Sequence, residues 1–303
     1  MEKREYNEKN TIIPKLYVLV GLPGSGKSTY AKKLESESVN RTKIVSTDAI
    51  REELACSEQE MFRLFHERIR SYLELGYDVV ADATNITIKS RAAVLASVKE
   101  INCIKTALVF GTDFQVCLAN NSKRDRKVPE EAIYTMRSKF QIPFFEEGFD
   151  IIHIRNQAKN DEVEEAVKKM KTFDQQNEHH NLLLFDHCQN VKEKFTNKYT
   201  GIEYVRASLL HDIGKLFTQT FGVDNQAHYY GHAEVGTYFL LSNVEVNGSF
   251  NEGFWLNVLF IINYHMMPFN WNTEKAQRKW KKIFGEDRFS MLVYFNECDQ
   301  EEL

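Results

Sequence analysis

The chain has 303 residues, 43% of them apolar and 27% charged, which is the composition of a soluble globular protein with room for two domains. Its formal net charge of −4 argues against tight, sequence-independent binding to duplex nucleic acid. The five cysteines include no Cys-x-x-Cys pair, which excludes a disulfide framework, and we expect them to be small core residues. No apolar stretch is long enough to span a membrane and no secretory signal is recognisable, so we expect a cytoplasmic protein without a membrane partner.

A short apolar strand leads directly into a glycine-rich loop. The predicted strand Leu16–Val20 precedes the loop and the predicted helix Lys27–Glu37 follows it, which makes a chance glycine-rich turn the weaker interpretation. In such a P-loop the backbone N–H groups surround phosphates, the lysine reaches the β- and γ-phosphates, and the next hydroxyl ligates Mg²⁺. ATP and Mg²⁺ are therefore the predicted cofactors. The loop residues are Gly21, Gly24, Ser25, Gly26, Lys27, Ser28 and Thr29.

Short apolar runs alternate with helical stretches through the first half of the chain. This alternation predicts an α/β domain over residues 1–158, with a parallel sheet flanked by helices. We expect a helix and linker over 159–178 and an all-α domain over 179–303, where strand signals are nearly absent. The predicted strands are Leu16–Val20, Ile44–Ser46, Asp78–Ala81, Lys105–Phe110 and Asp150–Ile154.

Polar residues follow the second and third predicted strands. Asp48 and Arg51 come after the second strand, and Asp82 and Asn85 come at the end of the third. Since the carboxyl ends of parallel strands meet at the edge where a P-loop binds phosphate, Asp48 is a candidate general base for a hydroxyl nucleophile. An alternative role for Asp48 is the N-cap of the helix that follows it, and the two roles are compatible.

These motifs resemble the P-loop 5′-hydroxyl polynucleotide kinases of bacteriophage and of end-healing enzymes. The resemblance extends over about half the chain and includes a lid-like segment, 116–133. It implies that Lys27 and Ser28 bind ATP and Mg²⁺, that Asp48 activates the 5′-hydroxyl, and that Arg51 engages the acceptor end. It also implies that Arg124 clamps the donor phosphates. The other candidates for acceptor binding are Asp82, Asn85 and Arg91.

The lid departs from the family pattern at Asn120, where these kinases usually carry a second arginine four residues before Arg124. A neutral amide does not replace a guanidinium in neutralising a transferring phosphoryl group. Arg126 is the candidate that compensates, as a further ATP-binding residue. The alternative is that residues 123–127 form a solvated basic turn.

The second half of the chain carries a set of histidines and aspartates with ordered spacing. His211 and Asp212 are adjacent and are followed by Lys215. Imidazole and carboxylate groups together suit divalent transition metals. The other members of this constellation are Asp186 and His187, His232 and Glu234 within the stretch 230–236, His265, and Asp299.

This set resembles the HD-superfamily phosphohydrolases, which bind metal through His … His-Asp … Asp in a helical fold. The stretch 230–236 is especially similar to the HD domains of RNA-processing nucleotidyltransferases. The resemblance implies primary ligation by His187, His211, Asp212 and Asp299, with Mn, Co, Ni or Fe as the metal. His232 and His265 would hold a second metal or the scissile phosphate, and Lys215 would contact phosphate. We interpret His179 and His180 as linker or N-cap residues rather than ligands.

The two resemblances together imply a bifunctional enzyme that heals broken RNA or DNA. It would phosphorylate 5′-hydroxyl ends with ATP and hydrolyse 2′,3′-cyclic, 2′- or 3′-phosphate ends with a metal. Its partners would be nucleic acid with such ends and a separate ligase. Two alternatives stay open: a nucleoside, small-molecule or tRNA kinase fused to an HD nucleotidase, and an ATP-gated regulatory HD hydrolase.

Overall fold

The computed structural model describes residues 13–38, 40–54, 57–157, 160–176, 182–223, 225–246 and 248–300. His179 and His180 lie outside these residues, as does Cys56. The chain divides into two compact units, one of Met1–Val128 with Glu147–Arg155 and one of Pro129–Glu146 with Asn156–Leu303. Among the described residues, no helix is both long enough and apolar enough to cross a bilayer.

The first unit is built on a five-stranded sheet with the order β2-β3-β1-β4-β5. Strand β1 pairs in parallel with both β3 and β4, and β2 pairs in parallel with β3. The predicted parallel sheet flanked by helices is therefore confirmed, and it fits a P-loop kinase domain. The strands are β1 Lys15–Val20, β2 Thr42–Ser46, β3 Asp78–Asp82, β4 Ile104–Gly111 and β5 Ile151–Asn156.

Helix α1 packs on this sheet through an apolar cluster that fixes the end of the glycine-rich loop. Ala31 of α1 is fully buried against Leu19 and Val80, and Tyr30 and Leu34 pack at the margin of the same cluster. Burial of these side chains holds α1 and β1 in a constant relation, and the loop joins the two. The helices of this unit are α1 Lys27–Glu37, α2 Thr47–Glu53, α3 Glu58–Glu74, α4 Ile88–Ser97 and α5 Phe114–Ser122.

The second unit is helical apart from one small hairpin, which agrees with an all-α domain. Its long last helix, α13, is interrupted at Gly285, whose φ of 76° is not helical. The hairpin strands are β6 Thr220–Phe221 and β7 Ala227–His228. The helices are α6 Glu130–Arg137, α7 Asn160–Met170, α8 Leu184–Phe195, α9 Ile202–Leu210, α10 Lys215–Thr218, α11 His232–Asn243, α12 Ser249–Tyr264 and α13 Glu274–Gln300.

Segment 129–146 groups with the second unit, although the sequence places it in the first. Buried contacts with α12 account for this grouping. The side chain of Asn263 accepts from the N–H of Ile142 at 2.8 Å and donates to the carbonyl of Phe140 at 2.9 Å. The hydroxyl of Tyr264 also donates to the carbonyl of Ile142 at 2.7 Å. The bounds 1–158, 159–178 and 179–303 stay predictions.

The described cysteines are buried and form no disulfide with one another, as the sequence predicts for small core residues: Cys103, Cys117, Cys188 and Cys298. Of these, Cys117 lies on α5 at the glycine-rich loop, and Cys188 lies on α8.

Arg91 of α4 lies in the interior as half of a buried ion pair. Its guanidinium donates to Glu147 from Nε at 2.8 Å and from Nη2 at 2.7 Å, and from Nη1 to the carbonyl of Asn85 at 3.1 Å. The side chains of Arg91 and Glu147 are 0% and 3% exposed. Arg91 thus positions the loop after β3 through the carbonyl of Asn85, and the acceptor contact that the sequence assigns to it stays a prediction.

Replacing Arg91 with alanine should lower the free energy of unfolding by about 3–5 kcal/mol, because Glu147 would be left buried without its partner. The matched control is Arg70→Ala, which removes an exposed pair with Glu74 and should cost roughly 0–1 kcal/mol. Urea unfolding of both variants measures the difference. An Arg91→Ala protein as stable as the control would show that the pair with Glu147 does not stabilise the fold, and acceptor binding would then be the better account of Arg91.

Candidate functional sites

The segment that follows β3 holds the start of the glycine-rich loop. The N–H of Gly21 donates to the carbonyl of Thr84 at 2.9 Å, and the side chain of Asn85 donates to the carbonyl of Leu19 at 2.9 Å. Asn85, which the sequence assigns to the acceptor, is 4% exposed. It therefore braces β1 beneath the loop.

Gly24 is required by close approach as well as by backbone conformation. Its φ is +79°, and a Cβ added there would lie 2.1 Å from the carbonyl oxygen of Cys117 on α5. Any side chain at Gly24 would displace α5 from the loop. The side chain of Asn120 adds a hydrogen bond across the same contact, donating to the carbonyl of Gly24 at 2.9 Å. Asn120 thus braces the loop where the resembling kinases carry an arginine.

Lys27 is buried and points back into the loop. Its ammonium donates to the carbonyls of Gly21 at 2.8 Å and Leu22 at 2.7 Å. Burial lowers the pKa of Lys27 to about 8, although the nearby Asp82 carboxylate opposes this shift. The ammonium is therefore held within the loop by its carbonyl oxygens, and in a P-loop the lysine is the residue that reaches the phosphates.

Ser28 and Asp82 form an oxygen pair beside Lys27. The Ser28 hydroxyl hydrogen-bonds to the Asp82 carboxylate, and burial is the main reason why the pKa of Asp82 is raised. A hydroxyl and a carboxylate are the oxygen ligands that P-loop enzymes use for Mg²⁺. The donor set therefore fits Mg²⁺, with Ser28 and Asp82 as the residues that would hold it.

Asp48 is surrounded by arginines from α2 and from the lid-like segment. Oδ1 accepts from Arg51 at 3.2 Å and from Arg126 at 2.9 Å, and Oδ2 accepts from Arg124 at 2.9 Å. Ser46 caps α2 by accepting from the N–H of Ala49, so the alternative role of Asp48 as N-cap is replaced by a place in the first turn. Its side chain is 42% exposed.

Both lid arginines thus converge on the predicted base. The loop that carries them is closed by Asn121, whose amide donates to the carbonyl of Val128 at 2.8 Å and accepts from its N–H at 3.1 Å. Arg126 reaches the carboxylate as closely as Arg124 does, which argues against a merely solvated basic turn. No sequence signal marked Asn121, because its role depends on a partner seven residues away.

In the second unit, the helix ends bring the predicted metal ligands together. His187 lies on α8, His211 and Asp212 directly follow α9, His232 begins α11, and Asp299 lies near the end of α13. His265 directly follows α12. Because α9 ends at Leu210, His211 and Asp212 lie in a turn, which allows two adjacent side chains to face one site.

The first group of facing atoms consists of His187, His211 and Asp299. Oδ1 of Asp299 lies 3.0 Å from Nε2 of His187 and 3.2 Å from Nε2 of His211. Phe295, one turn earlier on α13, packs its ring beside that of His211 at 5.4 Å. This group therefore has imidazole and carboxylate donors against an apolar wall.

The second group contains His211, Asp212 and His265. Asp212 is the central side chain, since its Oδ1 lies 3.0 Å from Nε2 of His232 and 3.6 Å from Nε2 of His265. Its Oδ2 lies 3.4 Å from Nε2 of His211. Asp212 therefore bridges the two groups, an arrangement with the ligands for one metal ion or for two.

Backbone carbonyls orient three histidines of the cluster, His211, His232 and His265. Nδ1 of each of these three donates to a carbonyl about one turn before it in the chain, which leaves Nε2 directed into the cluster. Nε2 of His232 and Nε2 of His265 then face each other at 3.3 Å. Two lone pairs at this separation favour a cation between them, so the donor set fits a divalent metal. The pairs are His211 with Ser208, His232 with Tyr229 and His265 with Ile262, at 2.8, 2.8 and 2.7 Å.

Burial and the neighbouring positive groups have opposite effects on the pKa values of the two carboxylates in this cluster, and the positive groups have the larger combined effect. Burial alone would raise the pKa of Asp212, yet the Lys215 ammonium and the His211 imidazole hold that pKa well below its usual range. The pKa of Asp299 is also held well below its usual range against burial, chiefly by His211. Both carboxylates are thus ionised, the form that binds metal.

Lys215 is tied to Asp212 and to a residue that the sequence did not single out. Its ammonium lies 2.7 Å from Oδ2 of Asp212 and donates to the side chain of Gln175 at 2.8 Å. Gln175 is fully buried, and its carbonyl accepts from the hydroxyl of Tyr229 at 2.5 Å. It lies in the polar stretch predicted as a linker, where nothing in the sequence distinguishes it.

The protein family that matches this chain does so over the part that carries the P-loop. Residues 16–143 match the protein-family model described as an AAA domain. The chain is 27% identical over 144 residues to the L-seryl-tRNA(Sec) kinase of Methanococcus maripaludis, which covers 45% of this chain and 56% of the relative. It is 30% identical over 150 residues to the bifunctional polynucleotide phosphatase/kinase of Schizosaccharomyces pombe, which covers 48% of this chain and 34% of the relative. The chain thus spans about half or less of each curated relative.

Two solved structures show weaker likeness. The Pnkp1/Rnl/Hen1 RNA repair complex contains a chain that is 25% identical with a TM-score of 0.38, covering 41% of this chain and 43% of that one. A second Pnkp1/Rnl/Hen1 complex gives 23% identity and a TM-score of 0.34, covering 39% and 43%. The family match and the curated relatives confirm that this chain is similar to P-loop, nucleotide-binding kinases.

Loss of a residue that hydrogen-bonds to a metal ligand typically lowers metal affinity by about 10–100-fold. Replacing His211, which is a predicted ligand, with alanine should lower transition-metal affinity by more than this. The reason is that His211 contributes to both groups of facing atoms. The matched control is His153→Ala, an exposed histidine on β5. Metal content of the full-length protein, by mass spectrometry after dialysis against Mn²⁺, measures the effect. Equal metal content in the two variants would contradict a metal centre at this cluster.

Proposed function

We propose that this protein heals broken nucleic-acid ends by two separate reactions. The first unit would transfer the γ-phosphoryl group of ATP to a 5′-hydroxyl. The second unit, an HD-type phosphohydrolase, would remove 2′,3′-cyclic, 2′- or 3′-phosphates. The observation that carries the proposal is that one chain contains two phosphate-type sites. The first is a P-loop together with the Asp48 carboxylate, which is hydrogen-bonded to arginines, and the second is a buried His–Asp cluster.

The kinase half rests on how the charged side chains are arranged around the loop. Asp48 would accept the proton of the hydroxyl as its oxygen attacks the γ-phosphorus and ADP leaves. Lys27, Arg124 and Arg126 would neutralise the phosphate oxygens, and Arg51 would hold the acceptor. Ser28 and Asp82 would hold Mg²⁺, which would supply positive charge to the donor phosphates. The arginines now bound to Asp48 would turn to ATP when it binds and free the carboxylate.

The acceptor is proposed to be the end of a polynucleotide. Asp48 is partly exposed, which suits an acceptor that is larger than the site itself. The relative from Schizosaccharomyces pombe is named for a polynucleotide, and the one from Methanococcus maripaludis for an L-seryl-tRNA, so both names place the acceptor on a nucleic acid. The second name supports the tRNA kinase as the runner-up.

The phosphoesterase half rests on the His–Asp cluster. A divalent transition metal such as Mn, Co, Ni or Fe would supply a bound water of lowered pKa and charge for the developing oxyanion. Asp212 would bridge the two ligand groups, and Lys215 would fix Asp212 while facing the phosphate. The backbone-anchored histidines would keep their Nε2 atoms aimed at the same point.

The two products explain the proposed partner. Phosphorylation and phosphate removal together leave a 5′-phosphate beside free 2′- and 3′-hydroxyls, which are the ends that a nucleic-acid ligase joins. A separate ligase is therefore the expected consumer of the product. A 2′,3′-cyclic phosphate requires a 2′-hydroxyl, which RNA has and DNA lacks. Of the proposed substrates, the cyclic end therefore belongs to RNA alone.

Replacing Asp48 with asparagine should lower 5′-phosphorylation by about 10²–10⁴-fold, because the proton acceptor is lost, while ATP binding persists. The control is Glu52→Gln, which changes an exposed carboxylate on the same helix and should leave activity unchanged. Both variants are assayed with radiolabelled ATP on matched acceptors: a 5′-hydroxyl RNA, the same DNA, a nucleoside and a seryl-tRNA.

Labelling of the oligonucleotides and loss of that labelling in Asp48→Asn are the expected results. Preferential labelling of seryl-tRNA would move the proposal to the runner-up. Labelling of the nucleoside alone would favour the small-molecule kinase. An Asp48→Asn protein with the wild-type rate would show that Asp48 is not the base.

A further inference from the structure

The small hairpin of the second unit presents an aromatic pair on one face. Strands β6 and β7 are antiparallel, with Thr220 opposite His228 and Phe221 opposite Ala227. Because side chains alternate along a strand, His228 and Phe221 point to opposite faces, and Tyr230 follows His228 on its face. The rings of His228 and Tyr230 stack, with centroids 5.6 Å apart and planes 13° apart.

Tyr230 is the outer member of this pair and is 78% exposed. An aromatic side chain loses favourable burial when it stays in water, so a large exposed ring already aligned by a second ring is a surface suited to a flat partner. Gly231, with φ of +73°, turns the chain directly after Tyr230 and begins α11. This turn separates Tyr230 from the buried helix that follows.

Tyr229, which lies between the two members of the aromatic pair in sequence, contacts residues of the His–Asp cluster. The carbonyl of Tyr229 accepts from Nδ1 of His232 at 2.8 Å, so the residue next to Tyr230 orients a predicted metal ligand. The ammonium of Lys215 lies 5.4 Å from the centre of the Tyr229 ring and 2.7 Å from Asp212. Tyr230 thus lies two residues before the predicted ligand His232 and next to a residue that orients this ligand.

We propose that Tyr230, backed by His228, is a stacking site for the terminal nucleobase of the strand whose phosphate enters the His–Asp cluster. This inference rests on the proposed phosphoesterase function. A base is joined to its own 2′- or 3′-phosphate through one sugar, so a base-stacking ring beside a phosphate site matches the layout of a nucleotide. Stacking on a ring face accepts every base, and we expect little preference among base types.

The stacking site is tested by fluorescence of an RNA oligonucleotide ending in 2-aminopurine with a 3′-phosphate, because stacking quenches this base. The full-length protein is used with Mn²⁺, in four forms: wild type, Tyr230→Ala, Tyr230→Phe and Phe221→Ala. Phe221 is the matched control, since it is 52% exposed on the opposite face of the same hairpin. The free nucleotide with the same base serves as a second ligand, which separates a site for mononucleotides from one for strand ends.

Wild type, Tyr230→Phe and Phe221→Ala should quench the probe, and Tyr230→Ala should not. Loss of one stacked base should weaken binding by about 5- to 150-fold in Tyr230→Ala. An oligonucleotide with an abasic terminus and the same phosphate should bind wild type and Tyr230→Ala equally. Wild-type metal content in Tyr230→Ala shows that the cluster is intact.

Quenching that persists in Tyr230→Ala, or an equal loss of affinity for the abasic strand, would overturn the stacking site. The pair would then serve only to stabilise the hairpin. Failure of the proposed function has a different signature. In that case the wild-type protein leaves the terminal phosphate in place while Tyr230-dependent quenching persists, and the stacking site stands without the hydrolase.

Discussion

The second unit depends on compensation of one buried carboxylate, that of Asp212. A charge removed from water costs several kcal/mol unless other groups pair with it, and Asp212 is 2% exposed. Lys215 and the histidines His211, His232 and His265 come to it from the ends of different helices, at 2.7 to 3.6 Å. The packing of these helix ends therefore also determines the chemistry of the site, since a shift of any of these helices would remove one partner of the carboxylate.

In the first unit a carboxylate is likewise paired with several positive groups, but this carboxylate is partly exposed. Asp48 collects Arg51, Arg124 and Arg126 in hydrogen bonds, whereas Lys27 is held by carbonyl oxygens of the loop itself. Phosphate oxygens are better partners for the arginines than a single carboxylate because they carry more charge. The positive groups of this site are thus already assembled, and we propose that they are released to the donor when ATP binds. We propose that Arg126 offsets the missing lid arginine, whereas Asn120 braces the loop through the carbonyl of Gly24.

Local patterns in the sequence predicted the features that depend on neighbouring residues. The strand, glycine-rich loop and helix around Lys27 are read from adjacent positions, and the His–Asp cluster from ordered spacing of chemically distinctive residues. The sequence did not predict the features that depend on partners far away in the chain. Arg91 resembles a surface arginine until Glu147, 56 residues away, is brought beside it. Segment 129–146 follows the lid in sequence, yet buried hydrogen bonds tie it to α12. Gln175 acquires its role only through Lys215, 40 residues later.

The central claim is that two independent phosphate sites act on the two ends of one break. It is tested most directly by a single RNA with a 5′-hydroxyl and a 2′,3′-cyclic phosphate, treated with ATP, Mg²⁺ and Mn²⁺, and scored at both ends. Lys27→Ala should abolish 5′-phosphorylation and spare phosphate removal, and Asp212→Asn should do the reverse, because their ligand sets belong to different units. A folded Lys27→Ala protein that also fails to remove the phosphate would contradict independence and support an ATP-gated hydrolase instead.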